Sequence, residues 1–201
     1  EECRRMGLMV RPPDVNAGAF RFSVDQGAVI YGLGAIKGLG EGPIEALVHA
    51  RATGGPFTSV FDFCQRIGTS RVNRRALEAL IRSGAFDSLS EPRWVLMAAL
   101  PDAVGQADQE ARNAAAGIED LFGLGGPPET THTDPYQPYR KASRFSEREV
   151  LAGEKETLGL YLTGHPIDWY AGDLKGLGTK ALEHLQKAKE SVRVAGLVVG
   201  L

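Results

Sequence analysis

The stretch VIYGLGAIKGLGEGPIEALVHAR, residues 29–51, admits two incompatible readings. Gly32, Gly34 and Gly38 fit a G-x-G-x-x-x-G dinucleotide fingerprint behind the short apolar run Val29-Ile30-Tyr31. Read a few residues later, Gly38-Leu39-Gly40 is instead a tight corner between a short helix and a longer one. A dinucleotide fold needs about three turns of helix directly after its glycines, then a strand and an acidic ribose ligand roughly 20 residues on. Here a helix beginning at Ala35 would soon meet Gly38 and Gly40, each costing about 1 kcal/mol relative to alanine. After Arg51 the chain continues as Ala52-Thr53-Gly54-Gly55-Pro56, with no apolar β run. The cofactor reading fails.

The corner reading survives. Gly38 and Gly40 supply backbone conformations that side chains resist, and they let a ligand approach the main chain. Glu41-Gly42-Pro43 opens a helix, leaving loop N–H groups and the positive end of its dipole facing outward. Phosphate is the natural partner of such a nest, and Lys37 stands beside it as a flexible cation. The alternative is a purely structural helix–helix corner. A second copy follows: Asn73–Arg82, then Ser83-Gly84-Ala85-Phe86, then a helix after Ser90. Phe86 takes the place where a second glycine is expected, so this copy is degenerate. Between the copies Arg66, Arg71, Arg74, Arg75 and Arg82 face a single acid, Glu78. Beside two such corners, this cluster points to backbone contacts, which carry affinity but no sequence information.

Composition agrees with a globular protein and sets limits. The 201 residues are 43 % hydrophobic and 24 % charged, with a net charge of −2. Any basic surface must therefore be local. Residues 1–100 carry 12 Lys/Arg against 10 Asp/Glu, and residues 101–201 carry 11 against 15. Cys3 and Cys64 stand far apart, which suits a reducing compartment better than a disulfide framework. No apolar run reaches membrane length. The chain opens on Glu1 rather than Met and stops inside the apolar run Val192–Leu201, so both ends look cut from a longer protein.

Along the chain, residues 1–6 read as a last helical turn stopped by Gly7, and Pro12–Asn16 as a rigid loop. Phe20–Val24 and Ala28–Tyr31 form a small β-hairpin around Asp25-Gln26-Gly27. Short helices follow: one after Glu41, one capped by Thr58 or Ser59 and ended by Gly68, one over 73–82, and one capped by Ser90. Residues 105–145 have linker composition. Ser146-Glu147-Arg148-Glu149 is a capping box starting a helix towards Leu162, which Gly164-His165-Pro166 ends. Further short helices are expected around 167–174 and 180–189, with a strand from Val192. Asp14, Asp62 and Asp87 do not form a D-x-D pair, and a two-metal site needs converging carboxylates. His49, His132, His165 and His184 lack ligand spacing and read as structural or solvated.

Taken together, IYGLGAIKGLGEGPIEALVHAR, FTSVFDFCQRI, VNRRALEALIRSGAFDSL and EKETLGLYLTGHPIDWY resemble the bacterial replicative DNA polymerases of the C family, the polymerase III alpha subunits. ECRRMGLMVRPPDVN matches the same family upstream, and the segments follow in family order over nearly the whole chain. The resemblance implies a mainly α fold: a tandem helix-hairpin-helix with a small N-terminal β-hairpin and a C-terminal β-strand entering a truncated OB domain. Residues 1–30 would end the fingers domain, 31–104 form the tandem helix-hairpin-helix, and 105–145 a flexible linker. Residues 146–190 would be a helical connector and 191–201 the first OB strand.

The intact protein would then be a DNA-directed DNA polymerase, a nucleotidyltransferase of the cytoplasmic replisome. Its Mg2+ and catalytic aspartates belong to a palm domain outside these residues, which leaves no catalytic residue and no metal or other cofactor site here. The expected partners are duplex DNA, the sliding clamp and other replisome subunits, with no membrane. The expected DNA contacts are Lys37, Gly38, Leu39, Gly40 and Glu41, then Arg71, Arg74, Arg75, Arg82 and Gly84. The family's clamp-binding peptide, a glutamine followed by an apolar-aromatic pair, matches Ile118-Glu119-Asp120-Leu121-Phe122. Leu121 and Phe122 would anchor it, with Asp120 beside them and Ile118 where the glutamine is expected. A helix-hairpin-helix module of a repair enzyme and a structural helical scaffold remain the alternatives.

Overall fold

The computed structural model describes Cys3, residues 6–116, 134–177, 179–180, 191–196 and 198. These fall into two compact units, residues 1–160 and 161–201. The first begins with a three-stranded sheet: β1 (Val10–Arg11), β2 (Ser23–Asp25) and β3 (Ala28–Ile30), in the order β1-β3-β2. The expected hairpin is β2–β3, antiparallel with Val24 opposite Val29. Gln26 (φ 47°) and Gly27 (φ 76°) give the two left-handed residues that a two-residue hairpin turn requires. β1 pairs in parallel with β3, Val10 opposite Val29, an addition too short to leave a periodic signal. Upstream, Gly7 at φ 71° and the Leu8 N–H to Cys3 carbonyl bond (2.7 Å) form the expected helix stop.

Helices make up the rest. A 3-10 turn, Leu33–Ala35, precedes α1 (Glu41–Gly54). Then come α2 (Val60–Ile67), α3 (Arg74–Arg82), α4 (Arg93–Ala115) and α5 (Glu147–Leu158). Ser59 caps α2, accepting from the Asp62 N–H at 2.9 Å, and Asn73 caps α3, accepting from Ala76 at 2.9 Å. Ser146 and Glu149 close a capping box on α5, and those hydrogen bonds hold the Glu149 carboxyl below its ordinary pKa. Leu77, Leu80 and Ile81 of α3, Leu96 and Leu100 of α4, and Leu151 of α5 are fully buried. Each contributes about 1.5–3 kcal/mol by leaving water. Phe86 stands edge-on to Phe63 at 4.9 Å, joining the second corner to α2.

The loop at Pro12–Asn16 is pinned at both ends. Asn16 exchanges two hydrogen bonds with the Phe57 main chain, at 2.9 and 2.7 Å, and the Val15 N–H donates to the Ala85 carbonyl at 2.9 Å. Arg51 donates to the Val15 and Gly18 carbonyls. Burial lowers the pKa of this guanidinium, offset in part by the nearby charge of Asp14.

Four expectations need correction. Residues 105–115 are helix, not linker, because alanine is the best helix former and Ala103 and Ala107 are buried. Residues 134–145 are tied to the body: the buried Tyr136 hydroxyl accepts from the Val60 N–H at 2.8 Å, and Tyr139 donates to Asp102 at 2.6 Å. Ser90 does not cap α4; it sits at φ 65° and Pro92 holds the cap position. The helix from Glu147 stops at Leu158, since Gly159 adopts φ 78°.

In the second unit, His165 caps a 3-10 turn, Pro166–Tyr170, which leads into α6 (Ala171–Gly176). The His165 Nδ1 accepts from the Ile167 N–H at 3.2 Å, a structural role. The expected helix over 180–189 falls mostly outside the described residues. Residues 191–196 show no strand, and Val192 and Val194 are exposed with no neighbouring strand among the described residues to complete a ladder.

Candidate nucleic-acid interface

The first corner is built by a buried plug and an open rim. The Ile36 N–H bonds the Leu33 carbonyl (3.1 Å) and the Leu39 N–H bonds the Ile36 carbonyl (3.2 Å), while the Leu39 side chain is buried beneath. Gly38 sits at φ 86° with nothing within 4 Å of where a Cβ would stand, so glycine is needed there for conformation alone. Gly40 has an ordinary extended conformation (φ −81°, ψ 172°), which corrects the expectation that it too is conformationally required. Its missing side chain leaves room above the main chain instead; the nearest atom to a Cβ there would be Pro43 Cδ at 3.8 Å.

Gly40 caps α1 without any side-chain hydrogen bond. Pro43 has no N–H, and the first bonded amide of the helix is Ile44, reaching the Gly40 carbonyl at 3.4 Å. Among the described residues, no acceptor is recorded for the N–H groups of Gly38, Gly40, Glu41 and Gly42, and all four residues are exposed. Their donors and the helix dipole make this the electropositive end of a 14-residue helix. Lys37 is exposed beside it and forms no ion pair among the described residues. The corner is held from behind by the end of α5. Its Thr157 carbonyl accepts from the Lys37 N–H at 2.8 Å, and its Leu158 carbonyl from the Tyr31 hydroxyl at 3.2 Å.

The second corner is closed. The N–H groups of Ser83, Gly84, Ala85 and Asp87 bond the carbonyls of Ala79, Ile81, Leu80 and Gly84. Gly84 (φ 83°) is buried, and a Cβ there would collide with the Arg93 guanidinium and with Asp87 Oδ2 at 2.8 Å. Arg93 donates to Asp87 at 2.7 and 2.9 Å, to the Arg82 carbonyl at 3.2 Å and to Glu154 at 3.1 Å. Glu154 is fully buried. Burial alone would lower the Arg93 pKa, but hydrogen bonds and charges of Asp87 and Glu154 outweigh it and raise the pKa. Gly84 therefore leaves the set of contact residues, because its amide is bonded and its surface covered. Arg93 and Glu154 were not singled out in the sequence, since nothing in the spacing shows that α5 returns to α3.

The arginine cluster does not form one face. Arg66 is internal: it donates to the Ala50 and Gly55 carbonyls at 2.5 and 2.8 Å, pairs with Asp62 at 3.2 Å and lies over the Phe57 ring. Arg74 pairs with Glu78 at 2.9 Å. Arg82 pairs with Glu156 of α5. Arg71 and Arg75 are exposed with no ion pair among the described residues. Arg71 borders a groove of about 400 Å³ with His49 and Thr53, near the C-terminal end of α1 and so away from the first corner. Arg74 and Arg75 start α3, about 12 Å along its axis from Arg82. Of the expected contacts, only Arg82 is carried by α5 towards the corner at Lys37–Glu41.

The expected clamp contacts Ile118, Asp120, Leu121 and Phe122 lie outside the described residues, as do His132 and His184. Among the described residues there is no group of three or more metal-ligating side chains, and no helix is long and apolar enough to cross a membrane.

Comparison with known proteins bears directly on this geometry. The helix-hairpin-helix motif family matches residues 7–96, the stretch holding both corners. The whole chain is similar to DNA polymerase III alpha subunits. Identity is 46 % to that of Pseudomonas aeruginosa over 100 % of the chain, and 48 % to that of Escherichia coli K12 over 99 %. The Haemophilus influenzae subunit is 46 % identical over 99 %. These relatives are far longer: the chain spans 18 % of the first and 17 % of the other two.

Proposed function

We propose that this chain is the part of a bacterial replicative DNA polymerase that holds duplex DNA by its backbone. The observation that carries the reading is the exposed N-terminus of α1, where Gly38, Gly40, Glu41 and Gly42 offer N–H groups without an acceptor among the described residues, beside Lys37. A phosphate at that corner accepts main-chain hydrogen bonds and meets the positive end of the helix dipole. Leu39 contributes as the buried plug that fixes the loop, not as a contact. Arg71, Arg74 and Arg75 supply a more distant patch of positive charge that attracts the duplex without ordering it. Such contacts grip any sequence, which is what a processive copying enzyme requires.

Similarity over the whole chain to polymerase III alpha subunits supports the wider assignment. The intact protein is then a DNA-directed DNA polymerase of the cytoplasmic replisome, working with other replisome subunits. Its Mg2+ and reacting carboxylates are supplied outside these residues. Leu121 and Phe122, with Asp120 and Ile118, serve as the peptide that tethers the enzyme to its sliding clamp and raises its effective concentration there.

A salt titration of duplex binding tests the corner. Affinity should fall steeply with salt, and Lys37→Ala should weaken binding to all sequences while reducing the slope of log K against log salt by about 1. A slope near zero, or a Lys37→Ala variant indistinguishable from the parent, overturns the reading. For the tether, a Leu121→Ala/Phe122→Ala chain should no longer co-elute with the clamp.

A further inference from the structure

The end of α5 touches both corners. Thr157 accepts from the Lys37 N–H at 2.8 Å, while the preceding residue, Glu156, is ion-paired with Arg82 at the end of α3. Glu156 and Thr157 are adjacent, so Arg82 and the first corner are anchored on neighbouring residues of α5. Behind it the backbone is fixed: Gly153 of α5 packs on the Arg82 side chain, leaving only 3.3 Å from an added Cβ to Arg82 Cβ, and the Arg82 carbonyl accepts from Arg93. The guanidinium itself is partly open to solvent. It and Glu156 are 43 % and 66 % exposed, whereas the neighbouring Arg93–Glu154 pair is 9 % and 0 % exposed. Two arginine–glutamate pairs thus join α5 to the second corner, one sealed and one open to exchange.

We propose that Glu156 is an internal placeholder for a DNA phosphate on Arg82, which is the second anchor for the backbone held at Lys37–Glu41. The proposal rests on the reading of that corner as a backbone-binding site. A phosphate presents a guanidinium with the same forked acceptor as a carboxylate, so the exchange needs no rearrangement of Arg82. An exposed pair contributes little to stability, so releasing it costs the fold little. The freed Glu156 then faces the polyanion and takes up a cation from solution. That uptake cancels part of the counterion release which drives binding. Glu156 thereby keeps the grip weaker and less salt-sensitive than the corner alone would make it, as suits a protein that must slide along its ligand.

The test is a double-mutant cycle on the full 201-residue chain, reading duplex affinity at several salt concentrations. Glu156→Gln should raise affinity about two- to fivefold and steepen the salt slope by up to about 1. In an Arg82→Gln background the same change should have little effect, because the arginine to be released is gone. A gain that persists with Arg82→Gln shows simple long-range repulsion and overturns the proposal, as does no gain at all. Lys37→Ala separates the two readings. If it weakens binding while Glu156→Gln is silent, only the placeholder falls; if Lys37→Ala is silent as well, the corner itself is not the site.

Discussion

At Lys37–Glu41 and at Ser83–Asp87 the chain turns through the same left-handed glycine, at φ 86° and φ 83°, and there the likeness stops. The first corner leaves the N–H groups of Gly38, Gly40 and Glu41 without an acceptor among the described residues and is held from behind by the Thr157 and Leu158 carbonyls. The second bonds its amides to carbonyls of α3 and the turn itself, and fills the remaining space with Arg93, itself held by Asp87 and the buried Glu154. A glycine corner is therefore not an anion site in itself. It becomes one when the protein supplies neither acceptors for its N–H groups nor a side chain to cover it. The second corner shows the other use of the motif: a socket in which α5 is seated.

The largest effect should come from breaking that socket. Glu154→Ala leaves the Arg93 charge buried with Asp87 as its remaining acid, and loss of one partner from a buried pair costs about 3–5 kcal/mol. Urea denaturation should show this as a lower midpoint at unchanged slope, while duplex affinity of the folded fraction stays near the parent value. Loss of affinity with intact stability would mean that the second corner binds DNA after all.

Substituting the two glycines sharpens the contrast. Gly84→Ala meets both a left-handed backbone and the Arg93 guanidinium, and should lose about 2–3 kcal/mol of stability. Gly38→Ala meets only the backbone penalty, about 1–2 kcal/mol, because nothing lies within 4 Å of the new methyl group. Its main effect should appear in duplex titrations, as weaker binding from a corner whose amides have turned. Equal losses of affinity from both variants would erase the distinction between the corners.

The contrast also explains what could be read from the sequence. Caps at Ser59 and Ser146, stops at Gly7, Gly68 and Gly84, and the Gln26-Gly27 hairpin are local events written in adjacent residues, and each forms. Gly38–Glu41 was legible for the same reason. The state of the second corner was not, because it depends on Glu154, seventy residues from Gly84, and on the return of α5 across α3. The arginine cluster misled because nearness in sequence says nothing of direction. Arg66 packs over Phe57 and bonds main-chain carbonyls, Arg71 sits in the turn between α2 and α3, and Arg75 stands at the opposite end of α3 from Arg82. The alanine and glutamine that give 105–115 a linker composition are also good helix formers. Burial of Ala103 and Ala107 decides for helix, and burial is a tertiary fact.

The smallest effect expected is a gradual loss of stability in alkali, and it reports on the core beneath the closed corner. Burial pushes the Cys64 thiol from its ordinary 9.0 up to about 12, helped by Asp108. Burial likewise pushes the Tyr136 hydroxyl from 10.0 up to about 12. Both groups hold their protons more tightly in the folded chain than in the unfolded one. Above pH 9 the unfolded thiol ionises first, so the unfolded state binds fewer protons and stability falls as pH rises. Between pH 8 and pH 9.5 the two groups together should lower the unfolding free energy by about 1 kcal/mol, most of it from Cys64. Denaturation midpoints across that range measure the slope, and Cys64→Ala should flatten it. A slope that persists in Cys64→Ala would assign the alkaline sensitivity to another group. A thiol that reacts with iodoacetamide as fast in the native chain as in urea would show that α2 and α4 do not seal the core on which Phe63 and Phe86 join that corner.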